Sequence, residues 1–170
     1  TLDFFRNYVH LDARFHPGVN VIYGDNAQGK TNLLEAIAYL STASSHRARY
    51  DRELIQFGVD HAFLKGEVAG RDRDFTLEIS LHRGARRQIL SNGVRLKTAG
   101  ELSGILNTVL FCPEDLYLIR AGSGERRQFL DDCICQLRPR YAAALAEYKK
   151  HKEHTLRILR DCGEHPDLLD

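Results

Sequence analysis

Apolar and polar residues alternate along the middle of the chain with a period of two. The alternation is clearest over residues 63–68 and 75–81, and a shorter apolar run follows at 88–90. A period of two is typical of strands that bury one face. Asn92-Gly93 comes next, a pair that readily adopts the positive φ angles of a type I′ turn. The pattern predicts an antiparallel β meander.

Two further groups of apolar residues predict strands outside this meander. Residues 11–15 and 19–23 are separated by His16-Pro17-Gly18 and predict two strands joined by a turn. Residues 107–111, which end in Val109-Leu110-Phe111, predict a buried strand of the main sheet, and Pro113 closes it.

Helical spacing of apolar residues begins at residue 32 and predicts a helix to about Ala43. Thr98 and Glu101 have the spacing of a capping box, which predicts a short helix there. The remainder predicts two helices, at about 124–137 and 141–160, interrupted by Arg138-Pro139. Gly163 and Pro166 are expected to end the last helix.

Between residues 19–23 and the first helix lies a complete phosphate-loop motif, G-x-x-x-x-G-K-[ST]. Glycines let such a loop turn its N–H groups inward, and the positive end of the following helix adds a favourable field for bound phosphates. Lys30 is predicted to reach the β- and γ-phosphates of ATP, and the Thr31 hydroxyl to ligate Mg²⁺. The predicted nucleotide-binding residues of the loop are Gly24, Asp25, Asn26, Ala27, Gln28, Gly29, Lys30 and Thr31.

Composition excludes several classes of protein. The 170 residues are 43% hydrophobic and 28% charged, typical of a globular domain with one core. The formal net charge is +1, so any affinity for nucleic acid must come from clustered charge. No long apolar run or secretory leader is visible, and the four cysteines contain no C-x-x-C pair. We therefore expect a cytoplasmic protein without a membrane partner, disulfides or a cysteine metal site.

Hydrolysis of a nucleotide requires more than a phosphate loop. An acidic residue at the end of a second apolar strand must hold magnesium, and another group must orient the attacking water. Asp131-Asp132 is the nearest match, but the polar residues 125–128 before it cannot form a buried strand. The two aspartates are predicted to be helix residues. No catalytic residue is therefore assigned, and the chain is expected to bind ATP without hydrolysing it.

Several segments in order along the chain resemble the RecF family of bacterial DNA repair proteins. They are Phe5-Arg6-Asn7-Tyr8, the phosphate loop with its continuation to Ile37, Ser45-His46-Arg47, Asp51-Arg52-Glu53-Leu54-Ile55, Phe57-Gly58, Phe111-Cys112-Pro113-Glu114-Asp115-Leu116 and Glu125-Arg126-Arg127-Gln128-Phe129-Leu130-Asp131. The resemblance covers nearly the whole chain, to about Tyr148.

The resemblance implies an α/β fold of the P-loop NTPase class, an ATPase head of the ABC and SMC type. It implies a mixed sheet around the phosphate-loop helix, with the β meander and a C-terminal helical segment. Residues 1–137 are expected to form the phosphate-loop lobe, and 138–170 the start of a helical second lobe. The family's signature loop and second acidic strand come later in its sequence, so we expect this chain to be an N-terminal portion.

Residue roles also follow from the resemblance. Arg6 and Asn7 match positions that approach the nucleotide. Glu114 and Asp115 match a loop near the magnesium ion, and Arg47 matches an arginine that reaches phosphate or DNA. Together with Arg126 and Arg127, which belong to a cluster of basic residues, Arg47 is a candidate for binding DNA.

The resemblance implies an ATP-controlled, DNA-binding recombination mediator that acts on gapped or junction DNA without sequence specificity. It also implies an ATP-dependent homodimer and the recombination partner RecR. Two alternatives stay open. A small phosphotransferase can share the phosphate loop, but a β meander follows here in place of an arginine-rich lid. An SMC-like structural head needs a long coiled coil, and Gly163 and Pro166 are expected to end the last helix too soon for that.

Overall fold

The computed structural model describes residues 1–70, 72–112 and 122–164, and among them six strands form one antiparallel sheet. The sheet order is β2-β1-β3-β4-β5-β6. The strands are β1 (Leu2–Phe5), β2 (Tyr8–Leu11), β3 (His61–Val68), β4 (Phe75–His82), β5 (Gln88–Ser91) and β6 (Val94–Arg95). All but one of the neighbouring pairs are also consecutive in the chain. The exception is β1 with β3, which brings the N-terminal hairpin beside the meander.

Three α-helices and two short 3₁₀ turns complete the described fold. Helix α1 (Lys30–Thr42) lies between β2 and β3 in the chain, and α2 (Ser123–Leu137) and α3 (Pro139–Glu164) follow the sheet. The 3₁₀ turns are Asp51–Glu53 and Ala99–Leu102. No helix in the described part of the chain is both long and apolar enough to cross a membrane.

The hydrophobic core lies between one face of the sheet and α1. Leu64 of β3 pairs with Ile79 of β4, and both side chains are fully buried. Ala36, Tyr39 and Leu40 of α1 belong to the same buried cluster. Each buried Leu or Ile side chain contributes about 1.5–3 kcal/mol through the removal of apolar surface from water. This burial fixes α1 on the sheet.

Gly66 allows the helix to come close to the sheet. A Cβ atom at this position of β3 would lie 3.0 Å from Cδ1 of Leu40. Real Cβ contacts are rarely that short, so a larger residue would require the Leu40 side chain to shift. The glycine therefore belongs to the packing of the helix.

The predicted meander is confirmed. Strands β3 to β6 pair antiparallel in sequence order, and Asn92 and Gly93 form the turn before β6 with φ angles of 50° and 76°. Positive φ at both central residues is the type I′ requirement. The capping box at Thr98 and Glu101 is also present, and it begins the second 3₁₀ turn.

The strands predicted at 11–15, 19–23 and 107–111 are wrong for this structure. None of these segments forms a strand beyond Leu11, which ends β2, and Val19 and Val109 are 92% and 101% exposed. An apolar run becomes a buried strand only where other strands pair with it and another layer covers it. Among the described residues, no strand pairs with residues 12–15, 19–23 or 107–111, and the side chains of Thr108 and Leu110 are only partly buried. Pro113 lies outside the described residues.

The N-terminal hairpin was missed because its strands are short. Arg6 and Asn7 form the turn, and Arg6 adopts a φ of 54° in the left-handed region. This conformation is uncommon for arginine and costs about 1 kcal/mol. It is held by contacts of the Arg6 side chain that are described below.

The helix predictions agree with the structure. Helix α1 ends at Thr42, and α2 and α3 are interrupted at Arg138. Helix α3 continues through Gly163 to Glu164, so that glycine does not end it, and Pro166 lies outside the described residues. All strand pairings in the described ranges are antiparallel. The division into residues 1–137 and 138–170 stays a prediction.

Candidate nucleotide-binding site

The phosphate loop forms an open turn that leads directly into α1. Gly24, Ala27 and Gly29 have φ angles of 140°, 64° and 99°. Positive φ is inexpensive for glycine and lets the chain reverse direction within a few residues. Residues 24–28 are exposed, whereas Gly29 is buried. The loop is therefore accessible to a ligand along most of its length.

Lys30 reaches back across the loop. Its Nζ atom donates hydrogen bonds to the carbonyl oxygens of Gly24 and Asp25, at 2.8 and 2.6 Å. These bonds hold the two ends of the loop together and place the ammonium group at its opening. The position suits a cation that neutralises phosphate groups.

The first turn of α1 offers backbone N–H groups to an anion. Leu33 N donates the first intrahelical bond, to Gly29 O, so the amides of residues 30–32 have no acceptor within the helix. No side chain caps this end, and the first turn contains no acidic residue. Such an end fits phosphate oxygens well. Thr31 is exposed in the same turn, where its hydroxyl could ligate the Mg²⁺ that accompanies ATP.

The β1–β2 turn packs directly against the loop. A Cβ atom on Gly29 would lie 2.7 Å from the side-chain amide atoms of Asn7 and 3.0 Å from the Tyr8 ring. Tyr8 also donates its hydroxyl hydrogen to Gly29 O at 3.1 Å. Only glycine fits here, both for its φ angle and for this approach. The structure thus brings Asn7 next to Gly29 of the phosphate loop, and its role toward the nucleotide stays a prediction.

Arg6 lies below the loop in a buried ion pair. Its Nε and Nη2 atoms donate to the two carboxylate oxygens of Glu35 at 2.9 and 2.7 Å, and its Nη1 donates to Glu53 O at 2.9 Å. Glu35 lies in the second turn of α1 and has no exposed surface. Ser45 donates a further hydrogen bond to it at 2.5 Å. Each of the three guanidinium nitrogens thus donates a hydrogen bond that helps to position α1 and the β1–β2 turn.

These contacts decide the charge state of Glu35. Burial by itself raises the pKa of the carboxyl, but hydrogen bonds from Arg6 and Ser45 and the charges of Arg6 and Arg47 outweigh burial. The net result is a pKa below the ordinary value of 4.5. Glu35 is thus an anion at neutral pH, and the described part of the structure contains no buried side-chain polar atom without a partner.

Asn32 connects Arg47 to this group. Arg47 Nη1 donates to Asn32 Oδ1 at 3.0 Å and lies 3.6 Å from Glu35 Oε2, and Asn32 Nδ2 donates to Asn7 Oδ1 at 2.8 Å. The side chain of Arg47 is 43% exposed. Arg6, Asn7, Asn32 and Arg47 all line one open cavity of about 650 Å³. Three residues predicted separately from the sequence therefore meet beside α1.

Other predicted residues lie elsewhere. Arg126 and Arg127 are exposed near the start of α2, whereas the contact of α2 with α1 is made near its other end, between Gln136 and Ser41. Asp131 and Asp132 are helix residues, as predicted. Asp131 accepts a hydrogen bond from the Tyr141 hydroxyl at 2.5 Å. Glu114 and Asp115 lie outside the described residues.

Glu35 and Ser45 were not assigned a role by sequence reasoning. A signal existed, because Glu35 lies on the stripe of α1 that also carries Ala36, Tyr39 and Leu40, and a carboxylate on an apolar face needs a buried partner. The spacing of apolar residues along α1 does not indicate which residue that partner is. Arg6 is 29 residues away in the chain.

A second polar group that the sequence did not reveal joins α1 to the meander. The Tyr39 hydroxyl donates to Asp51 Oδ1 at 2.8 Å, and Arg87 Nη1 donates to both Asp51 oxygens at 3.0 Å. Burial raises the pKa of Tyr39, and the Asp51 charge raises it further, so the phenol stays protonated. In the described ranges no group of three or more His, Cys, Asp or Glu side chains could hold a metal ion.

Comparison with known proteins identifies the family. The AAA domain family model matches residues 1–162, and the chain belongs to that family. Its relatives are DNA replication and repair proteins RecF. The protein of that name from Agathobacter rectalis is 45% identical over 167 residues, covering 98% of this chain and 46% of the relative. The one from Clostridium acetobutylicum is 41% identical, covering 94% and 44%.

Solved structures give the same result. The chain is similar to the recombination mediator protein RecF determined with ATP, with a TM-score of 0.89, 37% identity and coverage of 94% of this chain and 43% of that one. An SMC ATPase structure at 23% identity and a TM-score of 0.62 shares the fold alone. The predicted ATPase-head fold is thus confirmed, and the chain spans about half the length of the relatives it matches.

The ion pair between Glu35 and Arg6 is expected to stabilise the folded protein. Glu35→Gln should lower the free energy of unfolding by about 3 kcal/mol at pH 7, because it removes the fully buried carboxylate charge that pairs with Arg6, whose side chain is 21% exposed. Glu67→Gln is the control, since that carboxylate is exposed and its pair with Lys65 at 3.8 Å contributes little. Urea unfolding of both variants measures the difference. Equal stability of wild type and Glu35→Gln would contradict the role given to this pair.

The same pair sets a pH dependence. Folding lowers the pKa of Glu35, so its stabilisation is complete above the ordinary value of 4.5 and is lost as the pH falls below it. The stability difference between wild type and Glu35→Gln should therefore shrink when the unfolding curves are repeated in acid.

Proposed function

We propose that this chain is the ATP-binding part of a RecF-type recombination mediator. The observation that carries the proposal is the phosphate loop, in which Lys30 Nζ is bonded to the carbonyl oxygens of Gly24 and Asp25 and the amides of residues 30–32 are uncapped at the start of α1. The similarity to a RecF protein solved with ATP supports the choice of nucleotide. Lys30 and the loop amides would hold the phosphates, and Thr31 would ligate Mg²⁺.

The biological role follows from the relatives. They are DNA replication and repair proteins, and one solved relative is described as a recombination mediator. We infer that the protein binds gapped or junction DNA in the cytoplasm, forms an ATP-dependent homodimer as a whole protein, and acts with RecR. Arg47, Arg126 and Arg127 are proposed as DNA contacts, and Glu114 and Asp115 as groups near the magnesium ion.

Lys30→Ala tests the nucleotide site. The substitution removes charge-assisted hydrogen bonds to the phosphates, worth about 1.5–3 kcal/mol, so ATP affinity should fall at least tenfold by calorimetry. Lys65→Ala, on β3 and outside the loop, is the control and should bind like wild type. A folded Lys30→Ala protein with unchanged ATP affinity would refute the assignment of the phosphate loop.

The chain is also predicted not to hydrolyse ATP. No strand of the described residues ends in an acidic residue that could hold magnesium, and the sequence contains no recognisable signature loop. The chain should therefore bind ATP without phosphate release above background, and it should stay monomeric when ATP is added. A malachite-green assay and light scattering measure both. Steady-state phosphate release that Lys30→Ala abolishes would contradict the prediction and favour a phosphotransferase-like enzyme.

DNA binding by the chain is predicted to depend on phosphate contacts alone. Binding should be independent of sequence and should weaken steeply with salt, because basic side chains here offer phosphate contacts without a groove-reading element. Arg126→Glu with Arg127→Glu should weaken it more than the same changes at Arg71 and Arg73. Arg71 lies outside the described residues, and Arg73 lies over the Phe75 ring at 4.7 Å. Fluorescence anisotropy at two salt concentrations measures the DNA affinity of both double variants. A larger loss of affinity in the Arg71 and Arg73 variant would refute the assignment of Arg126 and Arg127 as DNA contacts.

A further inference from the structure

A second basic cavity lies on the meander, apart from the phosphate loop. It encloses about 620 Å³ between the β4–β5 turn and the segment that follows β6. Four of its ten lining residues are cations, and Asp51 is the single acid among the lining residues. We call it the meander cleft, and its cations are Arg86, Arg87, Arg95 and Lys97.

Three of these cations have no acidic partner. Arg86, Arg95 and Lys97 form no ion pair with any described residue, and all three are exposed. Arg86 Nη2 donates to the backbone oxygen of Lys97 at 3.3 Å, which joins the two walls. Leu96 packs against the core, which leaves its neighbours Arg95 and Lys97 on the solvent side. Unpaired positive charge is thus concentrated at the rim.

The fourth cation has a structural role. Arg87 is bound to both oxygens of Asp51, and Asp51 accepts the hydroxyl hydrogen of the buried Tyr39. The charge of Asp51 is therefore already balanced by Arg87. The other three cations are left without an ion pair among the described residues, although the Glu101 carboxylate lies beside the amides of Lys97 and Thr98.

The cleft is separate from the nucleotide site. Its contact with α1 is made through Tyr39, nine residues after Lys30. At 1.5 Å per residue, this places the contact about 13 Å along the helix from the phosphate loop. The residues that line the cleft and those that line the cavity beside the loop have no member in common.

The cationic side chains that line the cleft suit phosphate groups of a ligand that binds at the protein surface. Guanidinium and ammonium groups bind phosphate oxygens through charge-assisted hydrogen bonds. None of the described residues that line the cleft is aromatic, so they offer bases no surface on which to stack. The nearby amides of Lys97 and Thr98 already donate to the Glu101 carboxylate at 3.1 and 2.9 Å. These two amides are therefore not available to an anion bound in the cleft.

We propose that the meander cleft binds the phosphate backbone of DNA through Arg86, Arg95 and Lys97. The proposal rests on the proposed function, since it adds a DNA contact to a protein already proposed to bind DNA. It places that contact at the end of α1 opposite the phosphate loop. Recognition there is by phosphate alone and is therefore independent of sequence.

Charge reversal tests the cleft. The double variant Arg95→Glu and Lys97→Glu should raise the Kd for a fluorescein-labelled duplex at least fivefold at low salt in the full chain. Loss of two phosphate contacts should also reduce the slope of log K against log salt concentration by about two. The control reverses Arg14 and Arg73, which are exposed and outside the cleft, and changes the net charge equally. It should change the Kd less than twofold.

Two further measurements keep the outcomes distinct. Arg95→Gln with Lys97→Gln removes charge without adding acid, and its melting temperature checks the fold. Sodium tripolyphosphate, titrated by calorimetry, reports binding of free phosphate. Cleft-dependent tripolyphosphate binding with unchanged DNA affinity would overturn the assignment to DNA. Equal DNA affinity of wild type and both cleft variants would refute DNA binding by the meander cleft and leave the proposed function untouched. Wild type that binds ATP but no DNA would instead overturn the DNA part of the proposed function, and the cleft with it.

Discussion

The buried ion pair between Glu35 and Arg6 is the interaction on which the site depends. It joins the second turn of α1 to the turn between β1 and β2. Arg6 holds an uncommon backbone conformation there, and the next residue, Asn7, contacts both Gly29 and Asn32. An unpaired charge at this depth would cost several kcal/mol, so the helix, the turn and the phosphate loop are fixed relative to one another.

Helix α1 carries three functions at successive positions along its length. Its first turn presents Lys30 and the free amides to a phosphate ligand, its second turn presents Glu35 to Arg6, and Tyr39 reaches Asp51 one turn later. The apolar face of the same helix packs on β3 and β4. A change at the loop and a change at the meander cleft therefore both act on one rigid element.

Charge is distributed unevenly although the chain is almost neutral. The formal net charge is +1, yet arginines cluster around the loop-side cavity and on the rim of the meander cleft. At the loop, Glu35 balances part of the charge and turns Arg6 into a structural residue. At the cleft, Arg87 and Asp51 balance each other, and three cations stay available. The pairing of each arginine, more than the number of arginines, decides which surface attracts phosphate.

The sequence alone determined the features whose causes are local. The phosphate loop, the α1 periodicity, the Asn92-Gly93 turn and the capping box at Thr98 depend on residues within a few positions of one another, and all are present in the structure. Tertiary structure decided what depends on distant partners. Residues 19–23 and 107–111 have the composition of buried strands but lie without pairing strands, because a strand is stabilised by its neighbours. Glu35 contacts Arg6, and Tyr39 contacts Asp51 and Arg87, because packing of α1 on the sheet brings separated segments of the chain together. Burial makes these polar contacts necessary, since a buried charged or polar group without a partner is costly.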